Sequence, residues 1–451
     1  MGGTMTTGEL HAGDTLRGGR YEIQRLLRAA SDKRVYLALD QTFDCRVALD
    51  VFSDNNVVMS GGLTVGEWEA RVLGQLGDHP NIAKAHDYWK EDGTAAMATR
   101  FLCGGTLRDL IAESRKSGQH PPTERVLRIS VQIARGLAHI HGRGILYRDL
   151  QPRNVLFDEW DTVHLVDFDT AIRLDDPHVN GVSQRPVIDY MAPELIAGSP
   201  ADERADLYSL GATMYEMITG RPPFTGTRED ILAAHCKGSR PRLDRDDVTD
   251  ALRELVLSLL TPEREQRPPS AAEVASRLER IEGSRAEIER LLKSDESSTL
   301  EFKSRMRTPA GQRKPRDNGN EGELGKAVEL KVLRTLAAFQ NTDGGILIIG
   351  VSDDRTVIGI ETDFPLVTRG TRDGWRLAFD DLASGHLGKD AMSCIDLQLE
   401  PWNDRTIAII RCSRRRKEPT WMGDELWVRR TASTQKLSAK ESVAWCRERW
   451  V

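Results

Sequence analysis

The stretch from Tyr147 to Asp169 constrains the fold of this 451-residue chain more than any other part of the sequence. Asp149 and Asn154 lie five residues apart in a predicted loop, and Asp167 ends an apolar run that predicts a short strand. An aspartate can accept a substrate proton, while an asparagine and a second aspartate supply oxygen ligands for Mg²⁺ on ATP phosphates. The spacing therefore predicts a phosphate-transfer site, with Asp149 as base and with Asn154 and Asp167 as metal ligands.

Composition indicates a globular protein of two or three domains. Hydrophobic residues make up 39% of the chain and charged residues 29%, which is ordinary for such proteins. No apolar run reaches the length of a membrane-spanning helix, and we expect the polar residues 1–19 to be disordered. The six cysteines form no C-x-x-C pair, which argues against a zinc site and a disulfide framework. We therefore expect a reducing, cytoplasmic location and no membrane partner.

The stretch resembles the catalytic loop and metal-binding motif of protein kinases, and flanking motifs extend the resemblance over residues 20–282. A-P-E and Q-R-P imply an ion pair between Glu194 and Arg267, and Asp206 matches the aspartate that holds the catalytic loop. The resemblance implies a two-lobed α+β fold, ATP and Mg²⁺ as cofactors, and Ser/Thr protein kinase activity on an unidentified protein substrate. The nucleotide site that it implies comprises Lys33, Val35, Ala48, Glu69, Thr99 and Leu102.

Several positions depart from the family's pattern. The three glycine positions of the ATP-covering hairpin hold Arg28, Ala30 and Lys33, so close backbone approach to phosphate is less available. Asp50 replaces the lysine that holds the α- and β-phosphates, and an aspartate would repel phosphate. Further departures are Tyr147, which replaces a histidine at a mostly structural position, and Gln151, Asp169 and Val187, which lie at phosphate handling, the metal site or substrate docking. We expect Asp169, which replaces a glycine, to add a charge beside the metal site.

Lys33 is the candidate replacement for the missing lysine. Strand side chains alternate between faces, so Lys33 shares the face of Val35, which should look at the nucleotide. This arrangement resembles the with-no-lysine kinases, and it implies that Glu69 pairs with Lys33. The alternative is a solvated lysine at the hairpin tip. Two functions stay open: an active kinase anchored by Lys33, and a pseudokinase that regulates the C-terminal domain.

The resemblance to protein kinases ends at residue 282, and the sequence that follows has a different pattern of predicted helices and strands. We expect a helical linker at 283–298 and a smaller α+β domain at 299–451. A helix at Leu324–Gln340 precedes an N-T-D-G-G turn and a buried strand. This order resembles the AlbA_2 domain of Schlafen proteins, a module associated with nucleic-acid binding.

Two site types follow from this second resemblance. Schlafen-type nucleases bind metal with two glutamates and an aspartate, and the matching residues are Glu296, Glu301 and Asp343. The alternative is that Glu296 caps the linker, Glu301 is solvated and Asp343 makes the turn. The candidate contacts to DNA or RNA are Arg305, Arg307, Arg414, Arg415, Arg416 and Arg429. Their alternative is solvated loops, and a nuclease effector gated by the kinase-like module is a third candidate function.

Overall fold

The computed structural model divides the chain into two compact units. Residues up to 245 together with 251–283 form the first unit, and residues 246–250 with 284–451 form the second. Every helix in the described part of the chain is too short or too polar to cross a membrane. The structure describes residues 9–30, 33–52, 63–91, 94–175, 187–237, 239, 241–245, 247–307, 321–367, 369–402 and 405–450, with the backbone alone for 321–327.

A six-stranded antiparallel sheet forms the small lobe of the first unit. The strands are β1 (Thr15–Leu16), β2 (Tyr21–Ala29), β3 (Lys33–Asp40), β4 (Cys45–Phe52), β5 (Ala85–Glu91) and β6 (Thr94–Arg100), in the order β1-β2-β3-β4-β6-β5. Helix α1 (Val65–Leu76) starts at Thr64, whose side chain forms a capping box with Glu67. The expected disorder of residues 1–19 is wrong for the described residues from 9 onward, because Leu16 is buried and pairs with Tyr21.

Helices dominate the large lobe of the first unit. They are α2 (Leu107–Ser117), α3 (Thr123–His141), α4 (Pro193–Ile196), α5 (Arg204–Thr219), α6 (Arg228–Cys236), α7 (Asp250–Leu259) and α8 (Ala271–Leu292). The apolar stripe of α3 is buried along its length, as its helical period predicts. Two short antiparallel strand pairs flank the loop residues: β7 (Ile145–Leu146) pairs with β10 (Ile172–Arg173), and β8 (Val155–Phe157) forms a hairpin with β9 (Val163–Leu165). The two-lobed α+β fold is therefore confirmed.

The ion pair expected between Glu194 and Arg267 is present in the large lobe. The Arg267 guanidinium donates to both carboxylate oxygens of Glu194, at 2.7 and 2.9 Å, and its side chain is fully buried. It also donates to the carbonyl groups of Thr261, Pro262 and Arg204. A planar fork of this kind can satisfy several acceptors at once, which is how an arginine is buried without unpaired donors.

The second unit is built on a mixed four-stranded sheet. Its strands β11 (Leu300–Lys303), β12 (Gly345–Ile349), β13 (Ile395–Trp402) and β14 (Arg405–Cys412) lie in the order β11-β12-β14-β13, and only the β11–β12 pair is parallel. Helix α9 (Glu321–Asn341) connects β11 to β12, and helices α10 (Arg372–Leu387) and α11 (Lys389–Met392) lie between β12 and β13 in the chain. Three strands and a helix complete the unit: β15 (Trp421–Met422), β16 (Glu425–Arg430), β17 (Ser433–Lys436) and α12 (Ala439–Trp450).

Alternating side chains place apolar groups on both faces of this sheet. Leu347 and Ile349 of β12 pack against α9 and α10, whereas Ile348 packs with Ile288 and Leu292 of α8. The helical linker expected at 283–298 is therefore wrong in two respects. The helix runs from Ala271 to Leu292, and its C-terminal turns belong to the core of the second unit.

The N-T-D-G-G turn needs both of its glycines. Gly344 has φ +83°, and a Cβ there would lie 2.6 Å from the carbonyl oxygen of Cys412. A Cβ on Gly345 would lie 2.4 Å from the ring of Phe339. Since real Cβ atoms do not approach so closely, the turn between α9 and β12 requires residues without a side chain.

A buried ion pair ties β11 to β16 in the second unit. Arg429 Nη1 lies 2.8 Å from Glu301 Oε2, and no part of the Arg429 side chain is exposed. The guanidinium also donates to Thr434 Oγ1 at 3.1 Å and to the carbonyl oxygen of Ser297. Removing one partner of a buried ion pair leaves the other charge buried without compensation, so the loss of either partner lowers the free energy of unfolding.

We expect Arg429→Ala to destabilise the second unit by about 3 kcal/mol, because the buried Glu301 carboxylate loses its fully buried partner and keeps the partly exposed Lys303. Arg430→Ala is the matched control, since the adjacent Arg430 is exposed. Urea unfolding of the full chain, followed by tryptophan fluorescence, measures both. Adding Glu301→Gln to Arg429→Ala should recover part of the loss, and equal unfolding midpoints for the two arginine variants would contradict this account.

Candidate functional site

A cleft of about 730 Å³ opens within the first unit. Its lining includes residues of β2, β3, β4 and β6, and the segments around Leu156 and Asp167. The residues that the sequence assigned to a nucleotide pocket all line it, namely Lys33, Val35, Ala48, Glu69, Thr99 and Leu102. The cleft thus combines apolar walls with a cluster of charged groups, as pockets for polar organic ligands do.

Lys33 occupies the centre of the charged cluster. Its Nζ atom lies 2.8 Å from Asp167 Oδ1, 3.1 Å from Glu69 Oε2 and 3.6 Å from Asp50 Oδ2. Lys33 is only 4% exposed, so the alternative of a solvated hairpin-tip lysine is wrong. Burial disfavours the ammonium, but the carboxylates of Asp167, Glu69 and Asp50 outweigh it and hold the pKa of Lys33 well above its usual value.

Glu69 joins Lys33 to the segment that follows Asp167. Its Oε2 accepts from Lys33, as expected, and its Oε1 accepts from the backbone N–H of Phe168 at 3.0 Å. Burial raises the pKa of Glu69 to about 7, against the opposing charge of Lys33. The neighbouring Trp68 donates from Nε1 to the carbonyl oxygen of Ala171 at 2.7 Å. Two successive residues therefore fasten α1 to residues 168–171.

Asp206 fixes the loop that carries Asp149. One carboxylate oxygen accepts from the backbone N–H of Arg148 at 2.7 Å, and the other accepts from the N–H of Tyr147 at 2.8 Å. The second oxygen also lies 2.8 Å from His141 Nε2. Arg148 and Asp167 both adopt positive φ angles, of 70° and 67°. Such backbone is held in place only when its surroundings over-determine it, and the buried Asp206 provides this at Arg148.

Asp149 and Asn154 lie side by side in this loop. Asn154 Nδ2 donates to Asp149 Oδ2 at 2.6 Å and to the Asp149 carbonyl oxygen at 3.0 Å, while Gln151 Nε2 donates to Asp149 Oδ1 at 2.5 Å. Burial raises the pKa of Asp149 to about 6, and the charge of Asp167 adds to this shift. The carboxylate is therefore positioned by donors on both oxygens and is ionised at neutral pH.

The donor set of the loop fits Mg²⁺. Asn154 Oδ1 is buried and accepts no hydrogen bond from the residues that the structure describes, which leaves an oxygen free for a hard cation. Asp167 supplies a carboxylate, which here is paired with Lys33 and with Arg28, whose Nη1 lies 3.3 Å from Asp167 Oδ2. Burial and the charge of Asp167 raise the pKa of Asp169 to about 8, which opposes the charge that we expected it to add beside the metal site.

The carboxylates predicted for a nuclease do not gather as metal ligands. Glu296 Oε1 accepts from the backbone N–H of Phe302 at 2.9 Å, and Glu301 is paired with Arg429 and Lys303. Asp343 is exposed in its turn and lies 3.5 Å from Arg449. Among the described residues, no three His, Cys, Asp or Glu side chains form a metal site.

The predicted nucleic-acid contacts divide into exposed and engaged side chains. Arg414 and Arg416 are exposed after β14, and Arg305 is half-buried. Arg307 donates to the Leu366 carbonyl, and Arg415 donates to Glu418 Oε1 with a side chain that is 12% exposed. The prediction is wrong for Arg429, whose guanidinium is buried on Glu301. Three further basic residues that follow Arg305 and Arg307 in the sequence lie outside the described residues, namely Arg313, Lys314 and Arg316.

Comparison with known families decides what this arrangement belongs to. The model of the protein kinase domain matches residues 29–277, which is more than half of the chain. The chain belongs to the protein kinase family. The Schlafen, AlbA_2 model matches residues 296–438.

Relatives of the kinase domain are named serine/threonine-protein kinases. Pkn2 of Myxococcus xanthus is 32% identical over 272 residues, covering 58% of this chain and 32% of the relative. PrkC of Bacillus subtilis is 31% identical over 231 residues, covering 50% and 35%. The DNA damage-responsive kinase RqkA of Deinococcus radiodurans is 33% identical over 269 residues, covering 58% and 39%. The chain thus spans about a third of the length of these curated relatives.

Three contacts in this site were not predicted from the sequence. They are the salt bridge between Arg28 and Asp167, the approach of Asp50 to Lys33, and the hydrogen bond from Trp68 to Ala171. Strand register carried a signal for Arg28, since it lies opposite Val35 and so faces the cleft. The contacts of Trp68 and Asp50 depend on side-chain positions across different elements, which a single sequence does not display.

Proposed function

We propose that the first unit is an ATP- and Mg²⁺-dependent Ser/Thr protein kinase that uses Lys33 as its phosphate anchor. The observation that carries this proposal is the buried Lys33 ammonium, shared by Glu69 and Asp167 in the cleft. Arg153, which also lines the cleft, lies 3.5 Å from Asp149, and Asp149 is hydrogen-bonded to Asn154. The ammonium lies 3.6 Å from the carboxylate of Asp50, the residue that replaces the family's usual phosphate lysine. A retained base, metal ligands and a relocated cation together argue against the pseudokinase alternative.

The proposed reaction follows from the positions of these groups. Asp149 accepts the proton of a substrate hydroxyl as that oxygen bonds to the γ-phosphorus of ATP, and the bond to the β–γ bridging oxygen breaks. Lys33, oriented by Glu69, binds the phosphates by its charge. Asn154 and Asp167 would hold Mg²⁺, which supplies positive charge to the phosphate oxygens when bound. Gln151, in place of a lysine, orients Asp149.

Phosphate transfer from labelled ATP, to a generic protein substrate and to the chain itself, tests the proposal. We expect Lys33→Met and Asp149→Asn each to lower the rate by about 10²–10⁴-fold. Lys33→Met combined with Asp50→Lys should restore part of the activity, since residue 50 faces the same two carboxylates. Lys84→Met, at an exposed lysine of the small lobe, is the control. Full activity in Lys33→Met would dismiss the anchor, and an inactive wild type would favour the pseudokinase.

The rate should also depend on pH in the way that Asp149 dictates. A base must be ionised, so activity should be present above the raised pKa of Asp149 and be lost as the pH falls through about 6. The charge of Arg153 opposes this rise in pKa, and its Nη2 lies 3.5 Å from Asp149 Oδ2. Arg153→Met should therefore move the acid limb of kcat/KM to higher pH. An unmoved limb in this variant would show that another group controls it.

We propose that the second unit binds nucleic acid through Arg414, Arg416 and Lys417. All three side chains are exposed, while the Arg415 backbone between them is held firmly. Its N–H donates to the carbonyl oxygen of Gln340, and its carbonyl accepts from Trp450 Nε1. An exposed basic segment on a fixed backbone suits sequence-independent contact with phosphates, and the AlbA_2 match supports this use. The nuclease assignment stays a prediction, since the described residues of this unit form no cluster of metal ligands.

Salt dependence measures these phosphate contacts. For duplex DNA, each contact contributes about 0.9 to the slope of log K against log salt, so Arg414→Ala with Arg416→Ala should lower the slope by about 1.8. Single-stranded RNA of equal length is the second probe. Arg405→Ala, at the opposite end of β14, should leave both slopes unchanged. No binding of either probe by the full chain at low salt would overturn the proposal.

A further inference from the structure

Arg28 brings a second cation to Asp167. It lies in β2 directly opposite Val35 of β3, and both residues line the cleft. Arg28 Nη1 is 3.3 Å from Asp167 Oδ2, while Lys33 Nζ is 2.8 Å from Asp167 Oδ1. Each oxygen of this one carboxylate therefore carries its own cation. The two cations differ in burial, because the Arg28 side chain is 41% exposed and that of Lys33 is 5% exposed.

The charge of Lys33 is already shared when no nucleotide is bound. Three carboxylates lie within 4 Å of its ammonium, those of Asp167, Glu69 and Asp50. Asp50 brings a negative group where the family has its phosphate lysine, and Gln151 is neutral where Ser/Thr kinases have another lysine. A triphosphate would add several further negative charges to this cleft. Besides the charge that Mg²⁺ would supply, Lys33 shares its own with three carboxylates, so a further cation beside the phosphates would strengthen their binding.

We propose that Arg28 is a phosphate-binding residue that exchanges Asp167 for the phosphates of the bound nucleotide. This inference rests on the cleft being the nucleotide site of the proposed kinase. The family's glycine at this position lets backbone N–H groups approach phosphate, and Arg28 replaces that contact with a guanidinium. The planar guanidinium can donate two hydrogen bonds to one phosphate group, which favours phosphates over a single carboxylate oxygen at 3.3 Å.

The position of Arg28 makes the exchange feasible. Its side chain is partly exposed, and its ion pair with Asp167 is long and made by one nitrogen. The Arg28 end of the pair is 41% exposed, and the buried Asp167 has Lys33 as a closer partner at 2.8 Å, so releasing Arg28 leaves neither group unpaired and away from water. Asp167 would in turn serve as a metal ligand, which removes the carboxylate that held Arg28. Lys33 keeps Glu69 and Asp50 as partners throughout.

Nucleotide affinity tests this proposal without relying on catalysis. Calorimetric titration of the full chain with ATP, ADP and adenosine, each with Mg²⁺, compares the wild type with Arg28→Ala and Arg34→Ala. Arg34 is the matched control, because it neighbours Lys33 in the same strand but points to the opposite face. We expect Arg28→Ala to weaken ATP binding about 10- to 100-fold, as loss of a charge-assisted hydrogen bond does, and to leave adenosine binding unchanged. Arg34→Ala should leave the affinities for all three ligands unchanged.

Other results would overturn the proposal. Tighter ATP binding by Arg28→Ala would mean that Arg28 only blocks Asp167, and an equal loss for ATP and adenosine would mean that it only supports the hairpin. An unchanged ATP affinity would also overturn it. A wild type that binds ATP but transfers no phosphate contradicts the kinase proposal while the Arg28 comparison stands. A wild type that binds neither ATP nor adenosine overturns both.

Discussion

The buried ammonium of Lys33 is the interaction on which the first unit's site depends. An isolated charge out of water is costly, so the three carboxylates around it are a condition for the fold rather than an addition to it. They come from β4, from α1 and from the segment after β9, so one lysine fixes three elements with respect to one another. The same contacts place Asp167 and hold α1 close to the cleft.

Much of this arrangement could be predicted from the sequence because protein kinases have short motifs with a distinctive spacing. The spacing of Asp149, Asn154 and Asp167 predicted the loop that carries them, and strand alternation predicted that Lys33 faces the cleft. What could not be predicted depends on distant partners. The basic character of Arg429 suggested solvent and phosphate, yet Glu301, 128 residues away in the chain, draws it into the core. A charged residue in a sequence shows its chemistry but not its partner.

The boundary between the units was misplaced for a related reason. The polar, charged text of residues 283–298 is typical of an exposed linker, and it has only a few apolar side chains on one side. Ile288 and Leu292 are nevertheless enough to close one face of the sheet in the second unit, because Ile348 and its neighbours present an apolar surface there. A helix with a narrow apolar stripe is therefore easily predicted to be an exposed linker, because the sequence does not show the surface that the stripe covers.

The proximity of Asp50 to Lys33 has a consequence for how such a site evolves. A lysine at position 33 and a lysine at position 50 would reach the same pair of carboxylates, Glu69 and Asp167. If Lys33 anchors phosphate as proposed, a chain with lysine at both positions would keep that anchor while either one changed. On that proposal, the aspartate at position 50 follows from a lysine that has changed strands, and its negative charge becomes one of the partners that hold the ammonium in place.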